Sequence, residues 1–128
     1  MKRARERLEG KLFASPLTVP ILENARYVIE CGWTQHHMAV NASGRPVRGL
    51  TSPAVACFCS AGAIIRAAEV HEAKYQSIEA REATNFLRYV TNYSIITEWN
   101  DHPRQTKANV LRGFDRAIKL AKEWRKAA

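Results

Sequence analysis

Cys59 is the residue with the clearest chemical potential in this chain of 128 amino acids. A thiol beside the small residues Ser60, Ala61, Gly62 and Ala63 could act as a nucleophile, which needs a donor for the oxyanion and a base or orienting group. Gln35 could supply the first, and Asn100 or His102 the second. On this reading the protein is a small cysteine-dependent hydrolase or transferase. The competing reading is packing. Cysteine is among the residue types most often buried, and a helix starting at Ser52-Pro53 would put Cys59 in its second turn, where the helix dipole no longer lowers a thiol pKa usefully. Core packing is the expected role.

Trp99-Asn100-Asp101 also has two accounts. In one, Trp99 fills the core while Asn100 and Asp101 bond the backbone of the turn before Pro103. In the other, Trp99 and Asp101 line a ligand cleft in which Asp101 faces Gln35. The turn account is favoured, because Asn and Asp before Pro are frequent turn formers. Among Cys57, Cys59, His36, His37, His71 and His102 no pair has zinc-site spacing. Neither a metal nor a cofactor is expected.

The remaining chemistry is charge. The chain carries 20 Lys and Arg against 12 Asp and Glu, a formal net charge of +8. Residues 1–11 hold five basic and two acidic groups, 12–103 seven and eight, and 104–128 eight and two. The excess belongs to the two ends, so an acidic protein or nucleic acid should meet the termini, without sequence reading. Arg112, Arg116, Lys119 and Lys126 share one face of the last helical segment and are the expected contacts. No helix-turn-helix, zinc-finger or aromatic RNA-binding pattern accompanies them.

These residues need elements to position them. Ile21, Leu22, Ala25, Val28 and Ile29 recur at helical spacing, with Pro20 in the first turn and Gly32 as the stop. After this first confident helix, Trp33 to Leu50 reads as a short β-hairpin or ordered loop around Asn41-Ala42-Ser43-Gly44. Ser52 caps a buried helix running to Ile65, whose small residues 60–63 admit a close neighbour. Residues 75–91 form a helix with Ala80, Ala83, Leu87 and Val90 on one stripe, Phe86 beside it, and Glu79 and Glu82 pointing away. A short segment, Ile95 to Trp99, leads to Pro103. Thr106 then caps the last helix, with Val110, Phe114, Ala117, Ala121 and Trp124 as its apolar stripe. Through Phe114 or Trp124 that helix could also join a homo-oligomer.

The expected fold is mainly α, a compact bundle of about five helices with a small β-hairpin or ordered loop. Residues 1–15 form a basic arm or frayed helix, and residues 16–128 a single globular domain. The longest apolar stretch, near Ala54 to Ile65, is interrupted by Ser60 and falls short of the roughly 18 residues a membrane span needs. Met1 to Lys11 has no apolar core segment of a secretory signal, so a soluble, cytoplasmic protein with reduced thiols is expected.

Ala25 to Gln35, ending Gly32-Trp33-Thr34-Gln35, together with Cys59-Ser60-Ala61-Gly62-Ala63 and Trp99-Asn100-Asp101, with Arg104 and Thr106 after them, resembles a family of small bacterial proteins catalogued only as a domain of unknown function. The resemblance covers roughly residues 20–121. This chain departs from it at Asn109, where the family usually has Glu, and in its basic N-terminus. It implies one compact domain in the order derived above and supplies no activity. The expected function is therefore that of a small binding or interaction protein, with the Cys59 enzyme as the alternative.

Overall fold

The computed structural model describes residues 3–73 and 76–127. Met1 and Lys2 of the expected arm, Tyr75 at the start of the helix expected over 75–91, and Ala128 lie outside them. In chain order the elements are α1 (Ala4–Leu8), α2 (Thr18–Cys31), β1 (Ala39–Val40), β2 (Cys57–Phe58), α3 (Ser60–Val70), α4 (Gln76–Thr91), α5 (Ile96–Asn100) and α6 (Lys107–Ala127). The protein is mainly helical, with one small antiparallel sheet.

The apolar periodicities translate directly into the core. Ile21, Leu22, Ala25 and Ile29 of α2 are buried against α3, α4 and α6. Ile64 and Ala67 of α3, Ala83, Phe86 and Leu87 of α4, and Val110, Phe114, Ala117 and Ala121 of α6 complete the same cluster. Burial of such side chains stabilises by about 1.5–3 kcal/mol each for the larger ones. The Gly32 amide ends α2 by bonding Val28 O and Ile29 O. Thr106 caps α6 as expected, its Oγ1 accepting from the Asn109 amide at 3.1 Å.

Two expectations need correction here. The helix placed from Ser52 begins only at Ser60. Residues 52–54 instead turn on the Ser52 hydroxyl, which accepts from the Ala54 amide. Ala56 then donates to Val40 O, Phe58 to Gly32 O and Cys59 to Met38 O. Backbone donors that a helix would have used are thus taken by the segment after α2. β2 pairs with β1 in the register Ala39 with Phe58 and Val40 with Cys57. The Asn41–Gly44 turn forms as expected, with Val40 bridging Pro46 and Asn41 Oδ1 accepting from Ser43 N and Arg45 N.

The second correction concerns Glu82, which does not point away. Its Oε2 is buried without a partner. Burial raises its carboxyl pKa, with the nearby Ser15 opposing and the charge of Glu79 adding to the rise.

The chain's first turn is docked on α4. Ala4, Leu8 and Leu12 are buried. The Arg5 side chain donates to Tyr89 O at 2.9 Å and Val90 O at 3.2 Å, while its amide donates to Asn92 Oδ1. These are carbonyls and space at the end of α4 that a helix cannot satisfy by itself. At the other terminus Trp124 Nε1 donates to Leu12 O and packs edge-on against Phe86 with ring centroids 6.2 Å apart. Phe114, by contrast, is wholly buried and has no surface to offer a second copy. Among the described residues no helix is long and apolar enough to cross a membrane.

Candidate functional site

The Trp99-Asn100-Asp101 segment ends α5 and meets the loop after α2 and the start of α3. Asn100 has no exposed surface. Its Oδ1 accepts from Trp33 Nε1 at 2.9 Å, Ser60 N at 2.9 Å and Ser60 Oγ at 2.7 Å. Its Nδ2 donates to Thr34 O at 3.1 Å and Asp101 Oδ1 at 2.9 Å. One carboxamide therefore ties three chain segments together, and only a group with both donor and acceptor ends can do so. Buried polar networks of this kind specify one arrangement of the elements when every member is satisfied.

The neighbours extend the knot. Gln35 Nε2 donates to Asn100 O at 3.1 Å and His102 O at 3.0 Å. Both of its amide hydrogens are then committed to main-chain carbonyls, leaving none for an oxyanion. Asp101 Oδ1 also accepts from the His36 amide at 2.9 Å, and Oδ2 lies 4.0 Å from His36 Nδ1. Gln105 Nε2 donates to Trp99 O, and His102 Nδ1 accepts from the Arg104 amide. Trp99 and His102 also line a cleft of about 280 Å³ with Tyr93, Arg104, Gln105 and Asn109. Cys59, Gln35 and Asp101 are not among its walls.

Cys59 borders this knot through Ser60 and occupies the N-cap of α3, not its second turn. Its Sγ accepts from the Gly62 amide at 3.3 Å and lies 3.8 Å from Met38 Sδ. The helix start alone would favour a thiolate. Burial outweighs it: with 3% of its surface exposed, Cys59 has its thiol pKa raised, mainly by desolvation and further by the charge of Asp101, against the lowering by the Gly62 and Ala61 amides. A protonated, covered sulfur is a poor nucleophile. Alkylation by iodoacetamide at neutral pH is expected to modify exposed Cys31 faster than Cys59 by about tenfold or more. Mass spectrometry of timed digests reads the two sites separately, and equal rates would restore the nucleophile.

The cationic residues singled out from the sequence all lie on α6. Arg112, Arg116, Lys119 and Lys126 are exposed, and none of them makes an ion pair among the described residues. Their flanking groups differ: Lys122 lies 3.6 Å from Glu23, and Asp115 is held by Arg26. Arg116 and Lys119 line a groove of about 340 Å³ with Arg5, Tyr89 and Glu123. Among the described residues no group of three or more His, Cys, Asp or Glu side chains could hold a metal ion.

Sequence reasoning did not single out Trp33 and Ser60 as members of the knot, or Arg5 as part of the basic surface. The signal for the first two was adjacency: each abuts a residue already singled out, Gln35 two positions on and Cys59 one before.

These features define a small helical domain in which a buried carboxamide knots α5 to the start of α3 and to the loop after α2. The chain belongs to the family of unknown function DUF6197, whose model matches residues 15–120. Arg3, Arg5 and Arg7, and Lys126 at the other end, fall outside that stretch. No curated protein and no solved structure matches the chain.

Proposed function

We propose that this protein is a binding module that contacts a polyanionic partner, nucleic acid without sequence preference, through a basic surface built from both ends of the chain. The observation that carries the reading is the shared groove: Arg5 of α1 and Arg116 and Lys119 of α6 line it together, although they are more than a hundred residues apart in sequence. The two charge-rich segments thus act on one partner. Arg112, Arg116, Lys119 and Lys126 of α6 are free of carboxylate partners among the described residues, so their charge is available to phosphates. All three cysteines are free thiols, which supports residence in the reducing cytoplasm.

Fluorescence anisotropy with a labelled duplex tests this. Four phosphate contacts by Arg112, Arg116, Lys119 and Lys126 correspond to a slope of log affinity against log salt of about −3.6. Replacing both Arg116 and Lys119 with serine is expected to flatten the slope by about two and to weaken binding to all sequences equally. No binding at low salt, or binding indifferent to salt, contradicts the reading.

A further inference from the structure

The docking of α1 creates a second basic feature that the polyanion reading does not use. Arg3 is the N-cap of the short helix and Arg7 lies within it, the Arg7 amide donating to Arg3 O at 3.2 Å, so the two are held one turn apart. Because Arg5 anchors α1 to the end of α4, this pair comes to rest beside Arg88 in the last turns of α4. Arg3, Arg7 and Arg88 line one cavity of about 460 Å³ with Asn92, Tyr93 and Glu98. It shares no wall residue with the α6 groove.

Arg88 is the telling member. It is half-buried, and its Nε is fully covered without a hydrogen-bond partner, although Nη1 donates to Asn85 Oδ1 at 2.8 Å. A covered N–H with no acceptor costs free energy that folding normally avoids. Burial, followed by the like charges of Arg7 and Arg81, pushes the Arg88 pKa down, yet a guanidinium stays charged at any physiological pH. Three guanidinium groups gathered on one wall repel one another, and a single carboxylate offsets only one of their charges. Glu98 is the one carboxylate on the cavity wall, and among the described residues it forms no ion pair with any of them. The wall therefore carries a net charge of two positive units, from three arginines and one glutamate.

The geometry points to a binding site for a small phosphomonoester, its phosphate held by Arg3, Arg7 and Arg88. The dianion matches the surplus charge, and guanidinium forks suit phosphate oxygens bidentately. The volume lies within the range of small-molecule sites and leaves room for an organic group. Tyr93 offers that group a ring to lie against, and Glu98 accepts from a hydroxyl. This site does not depend on the polyanion reading.

Isothermal titration of the full chain with phenyl phosphate tests it, with phenol as the uncharged control. Saturable binding of phenyl phosphate, competed by inorganic phosphate and absent for phenol, is expected. Arg7→Gln and Arg88→Gln should each weaken it about tenfold, the loss of one charged hydrogen-bonding partner, and Arg116→Ser should leave it unchanged. Arg7 is exposed, so Arg7→Gln keeps the fold even if Arg88→Gln does not. No saturable binding overturns the site. So does unchanged affinity in Arg7→Gln, or a loss in Arg116→Ser alone. Phenyl phosphate binding without duplex binding would remove the polyanion reading and leave this site standing, and the reverse result would do the opposite.

Discussion

Replacing Asn100 with leucine, a side chain of similar volume, is expected to lower the midpoint of thermal unfolding by about 10–20 °C. The substitution leaves the shape of the core almost intact and removes its hydrogen bonding. Trp33 Nε1, the Ser60 amide and the Ser60 hydroxyl lose their shared acceptor, and Thr34 O loses its donor. A buried polar group left unpaired costs about 1–3 kcal/mol. The Ser60 hydroxyl can rotate and the half-buried Trp33 can shift, so the sum settles near 3–5 kcal/mol, among the largest effects of single substitutions. Asn100→Asp separates shape from chemistry further. It keeps an acceptor for Ser60 but turns an acceptor toward Thr34 O and Asp101. A carboxyl buried there has its pKa raised, so the native state binds a proton more tightly than the unfolded chain. Its penalty is therefore greatest at neutral pH and shrinks as pH falls. Circular dichroism melts of both variants at two pH values check the pair. A shift of under about 2 °C for Asn100→Leu would show that the knot contributes little.

Gly62→Ala should be comparably damaging for a different reason. A Cβ at Gly62 would collide with the backbone oxygen of Met38 and come within 2.9 Å of its carbonyl carbon. The obstacle is main chain that cannot easily retreat. Met38 O accepts from the Cys59 amide at 3.1 Å, and the next two residues are paired as β1 with β2. Overpacking costs about 1–3 kcal/mol where side chains can adjust, and here little can. A loss at or above the top of that range, about 10 °C in melting midpoint, is expected. The same shift would loosen the Cys59 cap, so faster alkylation of Cys59 in this variant should accompany the lost stability. At Gly113 the neighbour is the Trp99 ring, 2.7 Å from an added Cβ. Alanine there pushes on a side chain at the edge of the knot, and a smaller loss follows.

The parts legible in the sequence were those that local pattern determines. The stripes of α2, α4 and α6, the Thr106 cap and the close approach to residues 60–63 all follow from spacing and size. Periodicity says which face of an element is covered. It does not say which donors will meet which acceptors across the fold. The apolar run before Ile65 satisfied a helical template, yet Ala56, Phe58 and Cys59 found backbone acceptors in the segment after α2. The same limit applies to the motif residues. Gln35, Asn100, Asp101 and His102 were singled out by type, and they do meet around one knot. Their roles in it depend on partners 40 to 67 positions away, which no local window contains. The joining of the two basic ends is invisible for that reason too: Arg5 reads as one charge among many until its carbonyl partners on α4 are known.

Native-state hydrogen exchange at the Ser60 amide is the most direct test of the claim that Asn100 binds these segments into one unit. That amide lies at the very start of α3, where a helix gives its own N–H groups no partner, and its acceptor is Asn100 Oδ1 at 2.9 Å. Protection matching the buried core of α2, with opening only through global unfolding, is the predicted result. Exchange as fast as that of a frayed helix end would mean that the knot opens independently of the fold, and would contradict the account.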